Sequence, residues 1–303
     1  MKLIEPHFSA GFVPSLEVLP FLGWATGRGV KPQSCPGYGN LVRSLLTGDL
    51  QMGLLPWELF VTELLSLPGQ TRNWKVPVVL KACPMELALS RSAWKQVTAS
   101  KRRARPAGSL QLSFGVEARH SFTKQQILSW IDGLKMSSMG APVFKVLPMH
   151  LMIKALSLGE VDGVLAPSPW GLQAELDGVG KVDPDFNVGE HAQHLVLVCS
   201  EEVSGPLREL PGNLAAEIRA GRVLNSDSES FQWWSAKLAE GGSPGLSQEL
   251  FELALRRYPI DQLPDEFGPD GQWFEEQLGS LVRRRSIAME PASIAEIAKA
   301  LAF

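Results

Sequence analysis

Two stretches, set side by side, decide how this chain folds: Leu46-Thr47-Gly48-Asp49-Leu50-Gln51-Met52-Gly53-Leu54-Leu55-Pro56-Trp57 and Leu158-Gly159-Glu160-Val161-Asp162-Gly163-Val164-Leu165-Ala166-Pro167-Ser168-Pro169-Trp170. Each reads as a helix that stops at a glycine, then an acidic residue, a short apolar run, and proline followed by tryptophan. Glycine supplies the left-handed backbone that ends a helix. The apolar run is what a strand covered on both faces looks like. The Pro-Trp pair then falls just past the strand's carboxyl end, where open α/β sheets place their ligands. Two such units about a hundred residues apart suggest two similar lobes, with Trp57 and Trp170 each offered to a shared cleft. A common helix-to-strand turn with two tryptophans anchoring the core satisfies the same pattern, and the sequence leaves both readings open.

Working outward, the chain before and between the two stretches alternates strands with helices. Gly11 to Leu22 reads as strand, turn and short apolar helix, broken by Gly27-Arg28-Gly29, and Leu41 to Leu46 is helical. Strands are predicted at Leu50–Leu55, Val76–Lys81, Glu86–Ser90, Leu110–Val116, Phe144–Leu147, Val161–Leu165 and His194–Ser200, with helices opening at Ser121 and His150. The polar, Pro- and Gly-containing run from Ala99 to Ser109 is the most linker-like region. Beyond Pro206 the pattern turns helical, at Leu214–Arg219, Glu229–Ala239, Ser247–Arg257, Trp273–Arg283 and Ile294–Leu301. Strands alternating with helices, then a helical tail, indicate an α/β architecture. The predicted division is residues 1–90 as the first part of lobe I, 91–194 as lobe II, and 195–303 as the mainly helical second part of lobe I.

Composition narrows the function classes. With 303 residues, 45 % of them hydrophobic, the chain can bury one large or two smaller cores. A formal charge of -3 gives no global attraction to nucleic acid or anionic membrane. The basic run Lys101-Arg102-Arg103 with Arg105 reads as a solvated loop, or else as a phosphate- or partner-binding patch. Cys35, Cys83 and Cys199 show no C-x-x-C spacing, so reduced thiols are expected rather than a disulfide framework or zinc site. His191 and His194 have the spacing of metal ligands on a helix, but the run reads as a loop entering a strand, and no metal or cofactor is assigned. No window reaches the roughly 18 uncharged apolar residues of a membrane span, so no membrane insertion is expected. Met1-Lys2-Leu3-Ile4 runs straight into Glu5-Pro6-His7 without a signal-peptide core. A cytoplasmic location is expected on that basis, or a periplasmic one if a leader has been removed.

At these residues the sequence resembles the substrate-binding proteins of nitrate, bicarbonate, sulfonate and thiamine-precursor uptake, in order from about Gly11 to Val203. Gly11-Phe12-Val13-Pro14 resembles their opening strand, and Gly39-Asn40-Leu41-Val42 with Gly48-Asp49-Leu50 their second helix and its exit. Gly159-Glu160-Val161-Asp162-Gly163 followed by Pro169-Trp170 is similar to the family's G-x-I-D-G…E-P-W run. Leu195-Val196-Leu197-Val198 with Glu201 and Glu202 resembles the strand returning to the first lobe. The resemblance implies a two-lobed type II periplasmic-binding-protein fold, hinged near Ser90 and Cys199, with a helical C-terminal region. It implies a small-molecule ligand, and an ABC transporter permease or a cytoplasmic regulatory protein as partner. Three positions depart from the nitrate and bicarbonate binders. Ser168 stands where they have Glu before Pro-Trp; Asn187-Val188-Gly189 holds no Lys or Arg; and Glu86 falls near a ligand-facing Gln. A carboxylate there repels a small anion, which points to a neutral or cationic ligand, or to His191 or His120 as the positive group.

The candidate ligand residues follow. Tyr38, Gly39 and Asn40 open a helix after a Gly-rich turn, where free N–H groups favour an anion or carboxylate, unless the turn is an ordinary loop. His120 and Ser121 open the equivalent helix of the second lobe. Tyr38, Trp57 and Trp170, the latter preceded by Pro169, supply flat apolar walls. Glu86 and His191 complete the set. The leading expectation is a non-catalytic binder that closes on a solute, serving transport or sensing. The alternative is a biosynthetic enzyme on the same fold, as in menaquinone or thiamine-pyrimidine synthesis, with Glu86 and His120 or His191 as an acid/base pair. A buried Glu86 with a raised pKa favours the enzyme, and a surface Glu86 the binder.

Overall fold

A computed structural model of the chain describes residues 8–13, 18–65, 74–80, 85–102, 111–117, 122–134, 140–186, 194–208, 232, 247–258, 266–267, 269–283, 287 and 289–302. Apolar tetra- and pentapeptides bounded by Gly, Pro and polar turns become strands, and the 3.6-period stretches between them become helices. In chain order the elements begin with β1 (Ser9–Phe12), α1 (Leu19–Gly27), β2 (Lys31–Ser34), α2 (Tyr38–Thr47) and β3 (Met52–Pro56). A turn of helix, α3 (Trp57–Leu59), continues as a π-helical stretch at Phe60–Leu65, before β4 (Trp74–Leu80) and β5 (Met85–Ser90). The middle holds α4 (Arg91–Arg102), β6 (Ser113–Val116), α5 (Phe122–Gly133), β7 (Val143–Val146), α6 (Met149–Ser157), β8 (Gly163–Pro167), α7 (Trp170–Leu176) and β9 (Gly180–Val182). The last part holds β10 (Leu195–Ser200), α8 (Glu201–Arg208), α9 (Gln248–Arg257), β11 (Glu266–Phe267), α10 (Gly271–Arg283) and α11 (Pro291–Leu301).

The strands form two sheets, ordered β11-β4-β10-β3-β1-β2 and β7-β6-β8-β5-β9. In the first, β1 lies parallel between β2 and β3, and β10 runs antiparallel between β3 and β4. In the second, β6 lies parallel between β7 and β8, and β5 runs antiparallel between β8 and β9. Leaving aside the two-residue β11, the two sheets have the same order and the same strand directions. The echoed stretches occupy matching places: β3 and β8 are buried at every residue, as strands covered on both faces must be. The glycines before them do what the sequence requires. Gly48 has φ +80° and donates to Leu45 O at 3.2 Å; Gly159 has φ +70° and donates to Leu156 O at 3.2 Å.

The chain divides into two compact units, one of Met1–Cys83, Gln193–Trp234 and Ile260–Phe303, the other of Pro84–Ala192 and Ser235–Pro259. The core of the first gathers Phe12, Leu41, Leu50, Met52, Leu54, Val78 and Val196; that of the second gathers Leu87, Leu89, Phe114, Met152 and Leu165. The predicted division differs in two ways. The chain changes units at 83/84 and 192/193, upstream of the expected hinges, because Ser90 and Cys199 lie in sheet strands. Residues 235–259, expected with lobe I, group with the second unit because α9 packs against α7, with Arg257 paired to Glu175 at 3.7 Å.

Other differences are local. The linker-like run at Ala99–Ser109 begins as the end of α4, whose Ala93 and Val97 are fully buried; its remainder from 103 lies outside the described residues. β2, with sequence Lys-Pro-Gln-Ser, was not predicted because it is a polar edge strand, a place where proline is tolerated. The helices predicted at Leu214–Arg219 and Glu229–Ala239 lie outside the described residues, apart from the helical Gln232. Cys35 and Cys199 are buried free thiols, and burial pushes the Cys35 thiol up to about 11, away from reactivity.

Candidate functional site

In the first unit β3 ends at Pro56, and Trp57 begins the next helix, its N–H donating to His194 O at 2.8 Å. The Trp57 indole is buried at 4 % exposure. It packs against Phe60 at 5.8 Å, Trp273 at 5.3 Å and Phe274 at 5.7 Å between ring centroids. His194 meets the same Trp273 ring at 5.8 Å. The helical tail therefore closes over the first Pro-Trp pair. At the start of α2, Gly37 is the N-cap in extended backbone, with no side-chain cap on the first turn. Tyr38 turns inward and is buried, whereas Gly39 and Asn40 are exposed.

In the second unit β8 ends at Pro167, and Ser168, Pro169 and Trp170 lead into α7, all three buried. The Ser168–Pro169 peptide is cis. Glu86 stands on the neighbouring strand, paired with Ala166 of β8, and its side chain is buried at 1 % exposure. Oε2 accepts the N–H of Leu172 at 3.0 Å in the first turn of α7. Gly171 makes that approach possible, since a Cβ there would run into Glu86 Cβ and lie 2.8 Å from Oε2. Oε1 and the buried Ser168 Oγ make no hydrogen bond of proper geometry, although Ser168 is near enough to draw the carboxyl's pKa down. From α9 come Arg257, whose charge also lowers it, and Tyr258.

Burial outweighs these stabilising contacts and pushes the Glu86 carboxyl from 4.5 up to about 7; the Leu172 N–H, Ser168, Arg257 and the Gly171 N–H pull the other way. The Tyr258 phenol rises to about 12, first through its own burial and then through the Glu86 charge. Chemically, this is a carboxyl group able to hold or release a proton near neutrality.

The structure thus brings Glu86, Pro169 and Trp170 together in one unit, and places Trp57 and the Tyr38–Asn40 turn in the other. His120, Ser121 and His191 lie outside the described residues. Sequence reading did not connect Arg257 and Tyr258 with Glu86, and no motif could have done so, because that contact is made across most of the chain. Ser168 and Gly171 were visible only as the local sequence around the Pro-Trp pair.

Two α/β units with matching sheets define the class: this is a protein of the periplasmic-binding-protein fold. Residues 21–229 match the NMT1-like family, and the chain belongs to that family. Among solved structures it is similar to the ligand-binding component of an ABC-type import system from Staphylococcus aureus, with zinc bound: 12 % identity, TM-score 0.70, covering 97 % of this chain and 98 % of the other. It is also similar to the periplasmic nitrate-binding protein NrtA from Synechocystis PCC 6803, at 12 % identity and TM-score 0.63 over 97 % and 86 % of the two chains. A third is the Candida albicans CA3427 product, described as having the generic periplasmic-binding-protein fold, at 13 % identity and TM-score 0.62 over 98 % and 96 %. At such identities the likeness is one of fold. No curated protein matches the chain in sequence. Among the described residues, no helix is long and apolar enough to cross a membrane.

Proposed function

We propose that the chain is a solute-binding protein that closes its two units on a small molecule, in ABC-type transport or as a ligand sensor. One observation carries this reading: apart from the two-residue β11, two sheets of the same strand order, each with a Pro-Trp pair at or just past the end of its central covered strand. The likeness of fold to a ligand-binding component of an ABC-type import system and to a periplasmic nitrate-binding protein supports the same reading. Glu86 stands where the resemblance expects a ligand-facing amide, and its carboxyl, when ionised, repels a small anion, which favours a neutral or cationic solute.

The test is a thermal-shift panel on the whole chain with nitrate, nitrite, bicarbonate, sulfonates, pyrimidine precursors, aromatic carboxylates and divalent metals. A ligand at about 100 times its dissociation constant adds roughly 2.7 kcal/mol of stability, visible as a raised midpoint. The expected result is one class of neutral or cationic solute that raises the midpoint and is recovered unchanged. Silence across the whole panel would sink the solute reading for these classes.

A second reading has its own observation. Glu86 meets the criterion for an acid/base group, being buried and raised to about 7, the range in which general catalysis works best at neutral pH. On this reading the chain is an enzyme that moves a proton through Glu86. A panel hit that is consumed during incubation, with the consumption abolished in Glu86→Gln, establishes it in place of the binder.

A further inference from the structure

We propose that the outer edge of β7 is a docking site for an extended acidic segment of a partner protein, which adds to the second sheet as a further strand. Among the described residues the two sheets have four edges, and three of them are blunted. β2 is the polar Lys31-Pro32-Gln33-Ser34, β9 is three residues long, and β11 two. Proline, polar side chains and shortness are what keep an edge from pairing with another chain. The fourth edge is different. β7 ends its sheet with Val143-Phe144-Lys145-Val146, a run rich in strand-forming side chains. Val143 and Val146 are 45 % and 52 % exposed.

Backbone parity sets which groups this edge offers. Val143 N–H donates to Leu112 O and Leu147 N–H to Val116 O, both at 2.9 Å, so the odd-numbered residues bond inward to β6. Alternation along the strand then turns the N–H and C=O of Phe144 and Val146 outward, where no described strand pairs with them. Pro142 and Pro148, the next positions of that parity, have no N–H to leave unpaired. The edge is a short template with an N–H donor at Phe144 and another at Val146, long enough for about five residues of an extended chain.

Charge selects the partner. On the face of Phe144, Lys124 of α5 holds its ammonium group 5.1 Å from the centre of the phenyl ring. On the opposite face Lys145 donates to Glu160 O at 2.6 Å, a backbone carbonyl rather than a carboxylate. Among the described residues neither ammonium group is paired with a carboxylate. An incoming strand places its side chains alternately over the two faces, so acidic residues in either alternation meet a lysine. A second copy of this chain would instead bring the same cations together across one seam, and like charges across a strand pair are destabilising. Strand addition of this kind draws its affinity from main-chain bonds and its selectivity from the flanking side chains.

The test is fluorescence polarisation of two labelled hexapeptides, Glu-Val-Glu-Val-Glu-Val and Lys-Val-Lys-Val-Lys-Val, titrated with the whole chain. Val146→Pro removes one outward donor and no bond to β6, at a place where an edge strand accepts proline. Lys124→Glu reverses a charge and leaves the backbone alone. The acidic peptide should bind saturably with a dissociation constant below about 1 mM, and about fivefold or more weakly to Val146→Pro. Lys124→Glu should weaken it by about threefold, and the basic peptide should bind the native chain more weakly than the acidic one by at least about that factor. No saturable binding of the acidic peptide, or equal binding of the two peptides, overturns the proposal. So does undiminished binding in Lys124→Glu, which keeps the test decisive even where Val146→Pro fails to fold. A native dimer in sedimentation that Val146→Pro abolishes would make a second copy the occupant and overturn the acidic partner. The readout needs no solute, so its outcome is independent of the thermal-shift panel.

Discussion

At position 86 a carboxyl group sits 1 % exposed beside the first turn of a helix, and its proton equilibrium follows from that enclosure. Its folded-state pKa of about 7 lies above the ordinary 4.5, so the folded chain keeps a proton that the unfolded chain releases between those values. Stability from this group is therefore fully present below about pH 4.5, declines as pH rises, and is lost above about 7. The difference corresponds to about 3 kcal/mol. Glu86→Gln keeps an oxygen for the Leu172 N–H and removes the ionisation. We expect the stability of the variant relative to the native chain to grow from pH 5 to pH 8 by up to about 3 kcal/mol, measured by urea unfolding. A difference that stays constant with pH would mean that the carboxyl is not raised.

The residue scale also shows which parts of the site could be read in advance. Glu86, Trp57 and Trp170 stand out in the sequence by their chemistry and by their place after covered strands. Their surroundings do not. Trp57 and Trp170 are 4 % and 3 % exposed, so both indoles are buried. For Trp57 the packing comes from Trp273 and Phe274 of the tail. Whether an indole lines a ligand site or fills a core depends on what lies over it, and sequence neighbours do not report that.

At the scale of elements, the helix–glycine–strand passages are the most legible feature, because their cause is local. Gly48 at φ +80° and Gly159 at φ +70° both have open space where a Cβ would go. Only the left-handed backbone, and not packing, penalises a side chain there. Gly48→Ala and Gly159→Ala should therefore each cost about 1 kcal/mol, and the two costs should add, since they sit in separate units. Equilibrium unfolding of the single and double variants checks this. A cost near zero at either position would mean that the helix end relaxes into another turn. Helices with weaker signals went unread for equally local reasons. α4 carries polar residues on most of its surface, and α7 is only seven residues long.

At the scale of the whole chain, long-range contacts decide where the tail goes. Lys75 Nζ on β4 donates to Ala300 O at 2.5 Å and Ala302 O at 3.4 Å at the end of α11, and α10 lays Trp273 and Phe274 on Trp57. A chain ended after residue 269 loses both arrangements while keeping every strand of both sheets. We expect it to show red-shifted tryptophan emission and to lose cooperative melting of the first unit. Unchanged emission and melting would make the tail a passenger.

The sequence by itself determined the α/β class, the duplication of a helix–glycine–strand–Pro-Trp unit, and the positions of most strands. These rest on backbone preferences and hydrophobic runs that act over a few residues. Only the tertiary structure decided that the two sheets share one strand order. It also decided that 235–259 joins the second unit, and that Arg257 and Tyr258 face Glu86. Those outcomes depend on burial and on charges meeting across most of the chain, and a carboxyl's proton affinity is set by the water it has lost, which no stretch of sequence records.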